Sequence, residues 1–332
     1  MKHMSLDAHS DYCEFSVRDA RGKEIDLRHI RTEAPQLIDA ISSFRGEKTL
    51  VVEEGNLAGW LKRVLEPHVT RFVVSNPKEN HWIARDEGKD DPVDARKLSH
   101  LLYGGFIKEV YHPSESQQRF KDLVLHCERL TRQVIRFKNH IGARLRANGL
   151  KNGGYGDRDH ESLDPFTQQE LAELYDALDA LEGIRDRARG RLAAKARRYA
   201  QVKRFQKVPG VGPVHASVFF GIIDTPHRFK RKSKLWTYCG LGLKRRKSGG
   251  QIYRQGRNQE YNRYLKAMAM RSAQIAVNSR NDNRYKSQYG RLVEKGLDSR
   301  QAHVIVARSI VSTLWGMWRS GETYHANREH NR

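Results

Sequence analysis

Over the first 110 residues the apolar positions fall in short, β-rich runs. Met4–Asp7, Cys13–Val17 and Lys23–Leu27 predict strands joined by turns, one of them Asp19-Ala20-Arg21-Gly22. Thr49–Glu53 and Arg71–Val74 predict two more, separated by an amphipathic helix around Leu57–Leu65. A further helix is predicted to start at Asp91-Pro92, because proline fits the first helical turn, where its missing N–H costs nothing. Strands followed by βαβ units predict an α/β sheet domain.

From Ser116 the period changes from two to between three and four. Phe120, Leu123, Cys127, Leu130, Val134, Phe137, Ile141 and Leu145 form one stripe. Leu171, Leu174, Leu178, Leu181, Ala188 and Leu192 form a second, after a Gly-, Asp- and Asn-rich connection over Asn148–Phe166. Two such helices predict a coiled-coil hairpin, whose stripe can pair with itself or with another copy of the chain. The last third reads as helical with basic loops. Helices are predicted over Val214–Ile223, Ser233–Cys239, Glu260–Val277 and Ser299–Trp318, ahead of a polar tail over 323–332. The division expected is 1–112, an α/β domain; 113–202, a linking and oligomerising hairpin; and 203–332, a basic, mainly helical domain.

Charge sharpens this picture. The chain of 332 residues carries a formal net charge of +22. Residues 1–110 hold 17 Lys and Arg against 19 Asp and Glu, whereas residues 187–280 hold 24 against 2. A solvated helix face would carry balancing carboxylates, and this stretch lacks them, so a polyanion, nucleic acid first, is the expected partner. If roughly eight of these cations neutralise phosphates, affinity falls about seven decades per decade of salt. The three cysteines, Cys13, Cys127 and Cys239, are far apart and match no zinc spacing, so they read as free thiols of a reducing compartment. With no apolar run of membrane-spanning length and no signal-peptide pattern, the expectation is a soluble intracellular protein.

Three motifs carry chemistry. Asp7 and Glu53 end predicted strands, while Asp91 and Asp94, three apart, share one helix face. Four converging carboxylates call for a hard cation, Mg²⁺ before Mn²⁺, able to polarise a phosphodiester. Any one of these acids alone reads as an ordinary surface residue; Glu54, beside Glu53, leaves the register of the second acid open. Pro209-Gly210-Val211-Gly212-Pro213 is similar to the hairpin of a helix-hairpin-helix element, in which Gly210 and Gly212 would leave backbone N–H groups for a phosphate. A tight interhelical turn explains the same residues. Ser248 lies in the basic loop Lys244-Arg245-Arg246-Lys247-Ser248-Gly249-Gly250, continued by Arg254 and Arg257. A serine in a basic loop is usually only solvated, and no Ser-His-Asp set accompanies it. His215 and His227 read as structural or phosphate-contacting.

Taken in order, these blocks resemble the DEDD transposases of bacterial insertion sequences, RNA-guided serine recombinases with a RuvC-like first domain. Ser5-Leu6-Asp7-Ala8-His9 is similar to the family's opening strand, Val51-Val52-Glu53-Glu54-Gly55 to its second acidic block, and Lys89-Asp90-Asp91-Pro92-Val93-Asp94-Ala95 to its third. Pro209–Gly212 and Phe229 through Gly240-Leu241 lead to Ser248-Gly249-Gly250, where the family's nucleophile falls. Asp90 departs from the usual Thr or Asn and adds a spare carboxylate.

The resemblance implies an RNase H/RuvC-like domain, a coiled-coil hairpin and a helical transposase domain. It implies Ser248 as nucleophile, Asp7, Glu53, Asp91 and Asp94 as Mg²⁺ ligands, and a structured bridge RNA that chooses donor and target duplex DNA. It further implies a dimer assembling to a tetramer in the bacterial cytoplasm at the nucleoid, with the acids of one protomer completed by the serine of another. Arg245, Arg246 and Lys247 are assigned to the phosphate on charge and proximity. Two rivals use the same residues differently. A Holliday-junction endonuclease would employ the four acids with water as nucleophile, and a non-catalytic nucleic-acid-binding protein would need none of them.

Overall fold

A computed structural model describes residues 1–76, 91–150, 158–248, 251–257 and 260–326. The chain divides into two compact units, Met1–Glu115 and Ser116–Arg332.

The first unit is built on a five-stranded mixed sheet. Strands β1 (Lys2–Ala8), β2 (Tyr12–Arg18) and β3 (Glu24–Arg31) form an antiparallel meander, and β4 (Lys48–Glu53) and β5 (Arg71–Ser75) add in parallel on the other side of β1. The order is β3-β2-β1-β4-β5. Alternation along the strands gives the sheet two different faces. Met4, Leu6, Phe15, Val17, Leu50 and Val52 form an apolar face with Leu37 and Ile41 of α1 (Ala34–Ser42) and Leu61 and Leu65 of α2 (Ala58–Leu65). The other face carries Ser5, Ser16, Val51 and Val73 and is covered by α3 (Asp91–Tyr103). Helix α1 was not apparent in the sequence: its apolar stripe is only Leu37, Ala40 and Ile41, within nine residues.

In the second unit α4 (Glu115–Ala147) and α5 (Pro165–Ala196) run antiparallel. Ion pairs Lys138–Glu182 (2.8 Å) and Arg144–Glu170 set their register, and Val134, Ile141 and Leu145 pack on Leu171, Tyr175 and Leu178. The stripe therefore packs on itself within one chain. Asp164 caps α5 by accepting from the Thr167 N–H (3.0 Å), and the Pro165 that follows suits the first turn. The other end of the hairpin shares one core with the helices that follow it. Phe120, Val124, Cys127 and Leu192 pack with α6 (Ala200–Phe205), α7 (Pro213–Ile223), α9 (Arg263–Val277) and α11 (Ser299–Ser320), so hairpin and C-terminal helices fall in a single unit.

Helices α8 (Lys232–Tyr238) and α10 (Arg284–Glu294) complete this unit. Helices α6 and α10 were not predicted from sequence. The region expected to be a loop around Ser248 is instead an antiparallel pair, β6 (Leu243–Ser248) with β7 (Gln251–Arg257), in which Ser248 pairs with Gln251. Among the described residues no helix is long and apolar enough to cross a membrane.

Candidate active site

The parallel register of β1 and β4 places Leu6 beside Val52, so Asp7 and Glu53 follow side by side at the C-terminal ends of neighbouring strands. Strand alternation puts both on the face covered by α3. Asp7 is partly buried, its side chain 22% exposed, and lies 3.5 Å from His9 Nε2. Glu54 belongs elsewhere, since its carboxylate accepts from His112 Nε2 at 2.6 Å. The register thus favours Glu53 as Asp7's neighbour.

Two contacts fix the direction of α3. Ser5 Oγ donates to the Ala95 carbonyl (2.7 Å), and the Tyr103 ring meets His3 edge-on, centroids 5.4 Å apart. The helix therefore runs back along β1, and its first turn, which carries Asp91 and Asp94, heads toward the strand end that carries Asp7 and Glu53. Asp94 is exposed; the side chain of Asp91 lies outside the described residues. Among the described residues no three His, Cys, Asp or Glu side chains stand close enough to hold a metal ion. The backbone nevertheless brings the four predicted acids to one edge of the unit, and a set of oxygen donors fits a hard divalent cation.

Glu14 was not legible as part of this region. It pairs with Asp7 across the antiparallel β1–β2 ladder, is 5% exposed, and accepts from His29 Nδ1 at 2.6 Å. His29 stacks on Tyr12, which stacks on His9, so a ring-and-carboxylate chain reaches back to Asp7. Alternation along β2 sets Glu14 on the opposite face from Cys13 and Phe15, and its burial there is a tertiary feature.

In the second unit Ser248 is the last residue of β6, and Arg245, Arg246 and Lys247 precede it on the same strand; Arg254 and Arg257 lie on β7. Their side chains lie outside the described residues. None of the three cysteines competes as a nucleophile, because burial pushes the thiols of Cys13, Cys127 and Cys239 up.

The Gly210–Gly212 turn joins α6 to α7 and rests on α9. Gly210 has φ +82°, and a Cβ there would collide with the Ser272 carbonyl oxygen and come within 2.9 Å of Ala276 Cβ. Glycine is needed at this position for close helix approach as well as for its backbone angle. Gly212, by contrast, faces open space. His215 bonds Ser272 Oγ (2.9 Å), and burial holds its pKa below the usual histidine value, so the ring serves as a neutral brace between α7 and α9. Gly210→Ala is expected to destabilise the protein by about 3 kcal/mol and Gly212→Ala by less than about 1 kcal/mol, as read by urea unfolding.

Carboxylates at neighbouring strand ends and a strongly basic second unit suit work on nucleic-acid backbones. A family model described as "Transposase IS116/IS110/IS902 family" matches residues 202–290, and a DEDD transposase model of the IS110 type matches residues 4–147. The chain is similar to the transposase for insertion sequence element IS1111A of Coxiella burnetii, 21% identical over 336 residues, covering 98% of this chain and 91% of that protein. It is also similar to the insertion element IS116 uncharacterized 44.8 kDa protein of Streptomyces clavuligerus, 32% identical over 114 residues, which is 34% of this chain and 28% of that protein. Both units thus match transposase models of the IS110/IS116 type, and the chain is a DNA transposase or recombinase.

Proposed function

We propose that this transposase is an RNA-guided serine recombinase with an RNase H/RuvC-like first domain. The observation that carries the reading is the meeting of Asp7, Glu53 and the first turn of α3 at one sheet edge. Asp7, Glu53, Asp91 and Asp94 would hold Mg²⁺, or Mn²⁺ in its place. Bound there, the ion would polarise the phosphodiester and offset charge on its oxygens.

The remaining chemistry falls to the chain's own residues. Ser248 Oγ attacks phosphorus, an Oγ–P bond forms as the P–O bond to the departing strand breaks, and the departing oxygen takes up a proton. Phosphodiester energy is kept in the phosphoserine link, so a strand hydroxyl can reverse the step on a new partner without a nucleotide cofactor. Arg245, Arg246 and Lys247 hold the non-bridging oxygens, a placement suited to a charge that grows in the transition state. Assembly of dimers into tetramers would bring the acids of one protomer to the serine of another.

Guidance by RNA fits the charge pattern. A surface that is basic over some ninety residues grips backbones without reading bases, leaving base pairing to select donor and target. The test is recombination between duplexes bearing donor and target sites, with and without RNA transcribed from the element's flanks. Joined product is expected only when the RNA is present and matches both sites. Product formed equally well without it would remove the guide from the account.

A further inference from the structure

The second unit contains a cavity of about 260 Å³ walled by cations. Lys232 at the start of α8, Arg284 at the start of α10 and Arg308 in the middle of α11 reach it from three separate helices. Trp236 forms part of its wall, with the Arg308 guanidinium 5.8 Å from the ring centroid, and Ser309 and Ser312 line it as well. Among the described residues no carboxylate lines it.

The wall is built rather than loosely solvated. Trp236 Nε1 donates to Ser312 Oγ (2.9 Å), Gln288 Nε2 donates to Ser309 Oγ (2.9 Å), and Arg308 Nε donates to the Leu241 carbonyl (2.7 Å). These bonds fix the indole and one edge of the guanidinium. The volume is several times the roughly 30 Å³ that a water occupies in the liquid, so a larger group fits.

We propose that this cavity holds a backbone phosphate of a bound nucleic-acid strand, with the adjoining sugar or base against Trp236. Cations converging from three directions match a phosphate's three-dimensional set of acceptor oxygens, and arginine forks bind it with two parallel bonds. An indole face beside them offers the stacking that strand-binding proteins use. The Arg308–Leu241 bond ties the cavity to the root of β6, two residues before the strand begins. Leu241 to Ser248 spans at most about 24 Å, which at 3.4 Å per nucleotide puts Ser248 on the order of seven nucleotides from the held phosphate. The cavity would therefore set the register of a strand against the β6–β7 tip. It depends on this transposase binding nucleic acid and not on which atom attacks.

The experiment measures affinity, without divalent metal so that nothing is cut, for a fluorescein-labelled duplex DNA and the same sequence as duplex RNA, over a series of salt concentrations. Four proteins are compared: wild type, Lys232→Gln with Arg284→Gln, the cavity-filling Ser309→Tyr, and a charge-matched control, Lys295→Gln with Arg300→Gln, at exposed positions. Thermal unfolding of each verifies the fold. Both cavity variants are expected to bind about tenfold more weakly, the charge variant with a salt slope shallower by about one, and the control to stay within about twofold of wild type. Weakening on DNA alone, or on RNA alone, supports the cavity and names its strand. Equal weakening by the control, or wild-type binding by folded Ser309→Tyr, would overturn it in favour of a diffuse basic field.

Discussion

Asp7→Asn is expected to abolish strand cleavage, lowering it at least about 10³-fold, while leaving the fold and DNA binding intact. The change is isosteric and removes only the charge. Asp7 lies at the end of the central strand, partly buried, beside Glu53 in register and facing the helix that brings Asp91 and Asp94. Under the proposed role, losing one of four carboxylates would weaken the hold on a divalent cation far more than it would weaken a sheet whose core is Met4, Leu6, Val52 and their neighbours. A second readout separates this effect from unfolding. Mg²⁺ should raise the wild-type unfolding temperature by mass action and leave that of the variant unchanged. Glu54→Gln is the control: its carboxylate bonds His112, and cleavage should fall by less than about tenfold.

Ser248→Ala is expected to remove recombination and the protein–DNA link together, at least about 10⁴-fold, with DNA affinity within about twofold of wild type. The change deletes one oxygen at the end of β6, where the backbone is held by pairing with Gln251. Strand pairing does not need the hydroxyl, and Arg245, Arg246 and Lys247 are unchanged. Asp7→Asn and Ser248→Ala thus share one phenotype in recombination but differ in metal response, which Ser248→Ala should retain.

The sequence revealed the sheet because its strands are compact apolar runs, and the long helices because their stripes persist over more than twenty residues. Both are local signals. The acids were legible as strand ends and as an i, i+3 pair, but their meeting depended on strand order, which brings β4 beside β1 and lays α3 back across both. Glu14 escaped notice because burial of the second face of β2 is a tertiary fact. The β6–β7 pair escaped because Leu243–Ser248 is almost wholly basic, with no alternation to mark a strand. Gly210 carried a double meaning. Its spacing resembles a phosphate-binding hairpin, whereas its surroundings on α9 give it a packing role that no pattern could announce.

Strand exchange through a serine leaves a covalent protein–DNA link. The most direct measurement traps wild-type protein on its donor DNA with Mg²⁺ and guide RNA, denatures, digests, and maps the nucleotide-bearing peptide by mass spectrometry. A nucleotide joined through a phosphodiester to Ser248 is the expected result. Cut DNA with free ends, no adduct, and undiminished cleavage by Ser248→Ala would contradict it and assign the acids to hydrolysis by water.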